Sequence, residues 1–126
     1  MSNLQIERDE VINPCIKLCK KLAISGAILQ YRRLDVFDKT HIDGSPDIEI
    51  FLPKDNIVWI LMAECKKPVG GTLRQTQKDY RDKYSKFSNI VYTTITSVKE
   101  LKDLVFKLSD CGYSDEDVLI ELGDFK

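Results

Sequence analysis

The chain has 126 residues, of which 43% are hydrophobic and 31% charged, with 6 Gly and 4 Pro. That is single-domain length with enough apolar surface for a core, so a disordered, collagen-like or low-complexity protein is excluded and one domain over residues 1–126 is expected. The 19 basic and 20 acidic residues leave a formal charge of −1, a total that by itself argues against a nucleic-acid partner.

The longest apolar run, Ile57 to Ala63, has seven residues, whereas a membrane-spanning helix needs about 20. Met1 to Glu10 is polar and acidic, with no apolar stretch before a small-residue cleavage site. An intracellular, cytoplasmic protein that is not secreted is therefore expected. Cys15, Cys19, Cys65 and Cys111 do not show the spacing of two zinc-ligand pairs, even if His41 joins them. Reduced thiols acting as small hydrophobes are expected instead, with Cys15 and Cys19 on one helix face.

In chain order, Asn13-Pro14 suits a helix start, with Asn as N-cap and Pro at the first helical position. An earlier start near Asn3, with Pro14 as a kink, is the alternative. Ile16, Leu18, Cys19, Leu22 and Ala23 follow at helical spacing, and Gly26 can end the helix. Ala27 to Phe37 reads as a strand and Asp38 to Ser45 as a loop. Asp47 to Leu52 alternates with period two, Lys54-Asp55-Asn56 has turn chemistry, and the apolar run from Ile57 is the next strand. Pro68 to Gly71 breaks the chain. Thr72 to Phe87 predicts a charged surface helix with Thr72 as cap, and Ile90 to Ile95 a β-branched strand. Ser97 caps a helix that places Val98, Leu101, Leu104, Val105 and Leu108 on one face. The acidic segment 113–126 can add a short helix after Ser114. The order is helix, three strands, helix, strand, helix: a small α/β domain.

Asp47, Glu64 and Lys66 are hard to explain as stability devices. Glu64 and Lys66 are two apart on one strand and share a face. If the hairpin turns at Asp55-Asn56, paired positions sum to that of Lys54 and Ile57, which sets Asp47 opposite Glu64. Their Cβ atoms would then be about 4.5–5.5 Å apart. Opposed carboxylates repel, so either one holds a proton or a cation lies between them. Oxygen ligands on rigid elements suit Mg²⁺, which binds one or two carboxylates plus phosphate oxygens. Lys66 could orient or deprotonate a water, or stabilise developing negative charge. A solvated salt-bridge cluster would need no function and remains the alternative.

Gly44-Ser45-Pro46-Asp47, a strand–turn–strand, Glu64-Cys65-Lys66 and then Gln77 after Leu73 form an ordered set. This set resembles the PD-(D/E)XK nuclease superfamily, and within it the VRR-NUC family of virus-type replication and repair nucleases. The likeness covers roughly residues 13–108; Arg74-Gln75-Thr76 stands where the family usually has a Ser-Pro-acid helix start. The resemblance implies a restriction-endonuclease-like core with a central mixed sheet flanked by helices. It implies Asp47, Glu64 and the backbone carbonyl of Cys65 as ligands of Mg²⁺ or Mn²⁺, and Lys66 as the residue that positions or activates water. Gln77 would support the site, with Glu10 or Glu7 as a possible additional acid. It further implies a homodimeric endonuclease acting on branched DNA such as Holliday junctions. Glu49 shares the predicted face of Asp47 with no assigned role.

The near-neutral total hides blocks of charge. Residues 66–86 carry a local +5 and residues 15–39 a local +4, while 41–64 carry −4 and 109–126 carry −5. Basic flanks around an acidic, cation-binding hairpin suit a phosphate backbone. Lys67, Arg74, Lys78 and Arg81 are the main candidates for DNA contact, with Lys83 and Lys86 beyond them. Tyr80 and Tyr84 are expected to pack. A non-catalytic DNA-binding or assembly subunit with a nuclease-like fold, and a protein-interaction domain, are the rival functions.

Overall fold

A computed structural model describes residues 6–34, 44–67 and 71–109. His41, Cys111, the loop around residues 38–43, the break at 68–70 and the acidic segment 113–126 lie outside the described residues. So does the part of the first predicted strand beyond residue 34.

A π-helical turn, Arg8–Ile12, runs directly into helix α1, Asn13–Ser25. Asn13 has helical dihedrals, φ −60 and ψ −45, so it is not an N-cap. Of the two starts the sequence allowed, helical structure begins before Pro14. Proline lacks an N–H and its ring clashes with the carbonyl four residues back. Here the Asn13 N–H reaches Arg8 O, five residues back, so the wide turn accommodates the proline. The Asn13 side chain instead accepts from Arg33 Nη2 at 2.9 Å, tying the helix to the first strand. Gly26, at φ 88, ends α1 in the left-handed conformation.

The sheet has four strands: β1 Gln30–Arg33, β2 Ile48–Lys54, β3 Ile57–Cys65 and β4 Ile90–Ile95, in spatial order β1-β2-β3-β4. β1–β2 and β2–β3 are antiparallel, and β3–β4 is parallel. The fold is thus α/β with a mixed open sheet. β1 is shorter than the predicted Ala27–Phe37. Ala27 and Ile28 donate back to Leu22 O and are buried, which leaves pairing to begin where Leu29 donates to Phe51 O at 2.8 Å.

Helix α2, Gln75–Tyr84, links β3 to β4, and helix α3, Val98–Leu108, follows β4. α2 does not begin at Thr72. Arg74 is extended, and its N–H is satisfied by Gln77 Oε1 at 2.8 Å, so the N-terminus falls there. Ser97 caps α3 as its sequence suggests, accepting from Glu100 N. Ser109 Oγ donates to Ala27 O at 2.9 Å, fixing the exit of α3 against the entry to β1.

Alternation along the strands divides the sheet into two faces. Ile48, Ile50, Leu52, Leu61, Ala63, Cys65 and Ile95 meet Leu18 and Leu22 of α1 and Leu101 and Val105 of α3 in one core. Trp59 packs at the edge of that core, half-buried. Cys15, Cys19 and Cys65 are free and buried within it. The opposite face carries Glu49, Met62, Glu64, Tyr92 and Thr94, and α2 approaches it through Gln77 and Tyr80. Among the described residues, no helix is long and apolar enough to cross a membrane.

Candidate metal centre

The hairpin turns at Asp55-Asn56, both left-handed with φ 55 and 62, the geometry of a two-residue type I′ turn. Lys54 pairs with Ile57 and Ile48 with Ala63. The next step of that register sets Asp47 against Glu64. Asp47 is held at the sheet by backbone bonds on both sides: its N–H donates to Ala63 O at 3.1 Å, and its carbonyl accepts from Leu34 N at 2.7 Å.

Upstream, Gly44 and Pro46 are buried. Gly44 has φ 87 and lies so close to the Thr76 carbonyl that a Cβ could not be accommodated. The turn before Asp47 is therefore seated against the first turn of α2. Two parts of the motif, far apart in sequence, are brought together by a glycine.

Asp47 Oδ2 accepts from the peptide N–H of Cys65 at 2.8 Å. Cys65 thus orients Asp47 through its N–H, beside the ligand role expected of its carbonyl. Glu64 is 3% exposed. Its Oε1 accepts from Gln77 Nε2 at 2.6 Å and faces Lys66 Nζ at 3.7 Å. Its Oε2 is buried and meets no hydrogen-bond donor among the described residues unless Asp47 carries a proton. Burial raises the Glu64 carboxyl well above the ordinary carboxylate range. The charge of Asp47 and a hydrogen bond between the two carboxyls raise it further, while Lys66 and Arg74 oppose the shift. The two acids are therefore in hydrogen-bonding contact only if they share a proton.

Lys66 is 6% exposed, and its N–H donates to Ile95 O at 2.9 Å, extending the β3–β4 ladder by one residue. Gly71 packs on the Lys66 side chain, where a Cβ would come within 2.8 Å of Lys66 Cβ. Gln77, 3% exposed, joins the cap of α2 to Glu64. Asp47, Glu64, Lys66 and Gln77 therefore form one cluster.

Glu10 and Glu7 are not gathered there. Glu10 is exposed on the π-helical turn, and among the described residues no group of three or more His, Cys, Asp or Glu side chains could hold a metal. Glu49, on the cluster's face of β2, faces Arg32 at 3.6 Å, which accounts for it as an ion pair. A cation here would have two carboxylates, with solvent or phosphate completing its shell, and Mg²⁺ accepts such a set. The orphaned Glu64 Oε2 fits that arrangement, because a cation would supply what hydrogen bonding does not.

Arg74 and Lys78 are exposed, and Lys67 and Arg81 half-exposed. Arg74 lies close enough to act on the Glu64 charge, and Arg81 on Tyr92. Tyr80 packs on Tyr84 with ring centroids 4.8 Å apart and faces Tyr92 at 6.4 Å. Tyr92 was not among the residues singled out from the sequence, where it reads as one member of a β-branched strand. Its signal is parity: Met62 pairs with Tyr92 and Glu64 with Thr94, so Tyr92 shares the Glu64 face.

Comparison of the chain with protein-family models, with curated proteins and with solved structures finds no match.

Proposed function

We propose that the protein is a metal-dependent DNA endonuclease of the PD-(D/E)XK type, similar to the VRR-NUC family, that hydrolyses phosphodiester bonds in branched DNA such as Holliday junctions, as in DNA repair. The observation that carries this proposal is the opposed pair of half-buried Asp47 and buried Glu64, with one Glu64 oxygen left without a donor among the described residues. A fold built for stability alone avoids such a pair, since unpaired buried charge costs several kcal/mol, roughly. A divalent cation removes the conflict and supplies charge stabilisation at a phosphate oxygen.

The chain's own residues supply the rest. Asp47 and Glu64 would hold Mg²⁺ or Mn²⁺. Lys66, buried beside Glu64, is placed to orient a water or to offset charge building on the phosphate. Gln77 fixes the Glu64 rotamer through its 2.6 Å bond. Arg74 and Lys78 offer cationic contacts to the phosphate backbone on the same side of the sheet. With one such cluster among the described residues, paired cuts in a symmetric junction call for a homodimer.

The test is cleavage of a labelled four-way junction, a flap and a linear duplex with Mg²⁺ or Mn²⁺. Asp47→Ala and Lys66→Ala are expected to abolish cutting. Activity that survives either substitution sinks the site assignment. Equal cutting of linear duplex and junction sinks the branched substrate. Binding without cleavage by the wild type points to a DNA-binding subunit.

A further inference from the structure

The hydroxyl of Tyr92 is buried and has no hydrogen-bond partner among the described residues. It shares this condition with Glu64 Oε2, and both project from the same face of the sheet on adjacent strands. Glu64 pairs with Thr94, so Tyr92 stands two residues back along β4, diagonally across from Glu64. Adjacent strands are about 4.8 Å apart and same-face neighbours about 6.6 Å apart along a strand, so the two residues are diagonal neighbours on one face. Burial raises the Tyr92 phenol above its ordinary value, and the charges of Glu64 and Asp47 raise it further, which places the ring within reach of the acidic pair.

Trp59 Nε1 is also buried without a partner among the described residues, but Trp59 pairs with Leu52 on the core face of the hairpin. The two orphans on the α2 face therefore belong together. A phenol both donates and accepts, whereas an ionised carboxylate only accepts. Were they in direct reach they would bond; a water held by a cation at Glu64 would offer each the partner it lacks.

We propose that the Tyr92 hydroxyl anchors the hydration shell of the divalent cation held by Asp47 and Glu64, and so tunes the affinity of the site for metal. This rests on the metal-centre assignment above. Mg²⁺ dehydrates reluctantly and keeps several waters, which need partners from the protein. A neighbouring hydroxyl on the fixed backbone of β4 is such a partner. Groups that act on a metal through its ligands and waters commonly change affinity by about 10- to 100-fold when removed. The orphaned hydroxyl is then a cost to the metal-free protein that metal binding relieves.

The experiment measures Mn²⁺ binding to the full chain without nucleic acid, by calorimetry and by the paramagnetic resonance of free Mn²⁺. Wild type is compared with Tyr92→Phe, Asp47→Asn and Tyr80→Phe, and the metal-free melting temperature of each is recorded. Tyr92→Phe is expected to weaken Mn²⁺ binding about tenfold or more, with a metal-free melting temperature equal to or above that of wild type. Tyr80→Phe is expected to bind Mn²⁺ as wild type does. If Tyr92→Phe binds normally while Asp47→Asn has lost binding, the Tyr92 proposal fails and the metal centre stands. If wild type binds no Mn²⁺, or Asp47→Asn binds equally well, both fail. A lowered metal-free melting temperature for Tyr92→Phe, or an equal loss of affinity in Tyr80→Phe, would assign the effect to packing and overturn the proposal.

Discussion

Gln77 donates from Nε2 to Glu64 Oε1 at 2.6 Å while its own Oε1 accepts from the N–H of Arg74 at 2.8 Å. One buried side chain thus sets the start of α2 and the orientation of the buried acid on β3. The bond also explains why a polar residue faces the sheet from a helix whose other buried neighbours are absent among the described residues. Gln77→Ala leaves Arg74 N and Glu64 Oε1 each short of a partner, which should lower stability by about 1–3 kcal/mol. Gln77→Glu keeps the acceptor for Arg74 but sets another carboxyl against Glu64. It is expected to be destabilised at neutral pH, where the introduced carboxyl is a further buried charge beside Asp47 and Glu64, and to have recovered by about pH 4, where that carboxyl takes up a proton. Urea denaturation at the two pH values checks this; a neutral-pH stability equal to wild type for both variants would refute the coupling.

Gly44→Ala tests whether the turn before Asp47 is braced on α2. A Cβ there meets the Thr76 carbonyl, and φ 87 is strained for any L side chain. The φ alone costs about 1–2 kcal/mol, and the backbone contact adds to it because a carbonyl cannot rotate away. The expected result is a fall in the urea midpoint, together with weaker Mn²⁺ binding as Asp47 is displaced. Gly26→Ala, also at positive φ but at the far end of α1, should lower stability without changing metal affinity.

The register of the hairpin was legible because Asp55-Asn56 demands positive φ at both positions, and that fixes every pair back to Ile48 and Ala63. The Ser97 cap and the face of α3 were legible for similar local reasons. The start of α2 was not, because the residue that caps it, Gln77, is positioned by Glu64, a tertiary partner 13 residues earlier. Pro14 was ambiguous because the relief of its clash lies in a π-helical turn upstream, which no local preference announces. Tyr92 escaped notice for a third reason. A strand's alternation tells which residues share a face, but the alignment of β4 with β3 depends on a crossover through α2.

The buried Glu64 carboxyl gives metal binding a definite pH dependence. Its ordinary value is 4.5, and burial with Asp47 close by raises it in the folded protein. Above pH 4.5 the unfolded chain loses this proton while the folded chain keeps it, so metal-free stability falls as pH rises through that window. The slope is at most about 1.4 kcal/mol per pH unit for one proton. A cation must displace the proton, so Mn²⁺ affinity should rise with pH, by up to about tenfold per unit while the proton is held. Calorimetry in buffers of different ionisation enthalpy should detect proton release near neutral pH. Affinity independent of pH from 5 to 8 would show that Glu64 is already ionised.

Arg74 and Lys78 are exposed at the start of α2, on the side of the sheet that carries Glu64, whereas Lys99 is exposed on α3 across the sheet and pairs with Asp103 at 3.8 Å. If the DNA backbone crosses the acidic pair, each of the first two neutralises a phosphate and releases counterions. Log affinity for duplex arms should then fall with log salt, and Arg74→Ala or Lys78→Ala should each reduce the magnitude of that slope by about 0.9. Lys99→Ala should leave it unchanged. Fluorescence anisotropy without divalent cation, from 50 to 200 mM salt (about the range over which such contacts lose most of their strength), separates the two helices. Equal effects from all three would mean diffuse attraction, since a true contact surface depends on which face of the sheet the charge occupies.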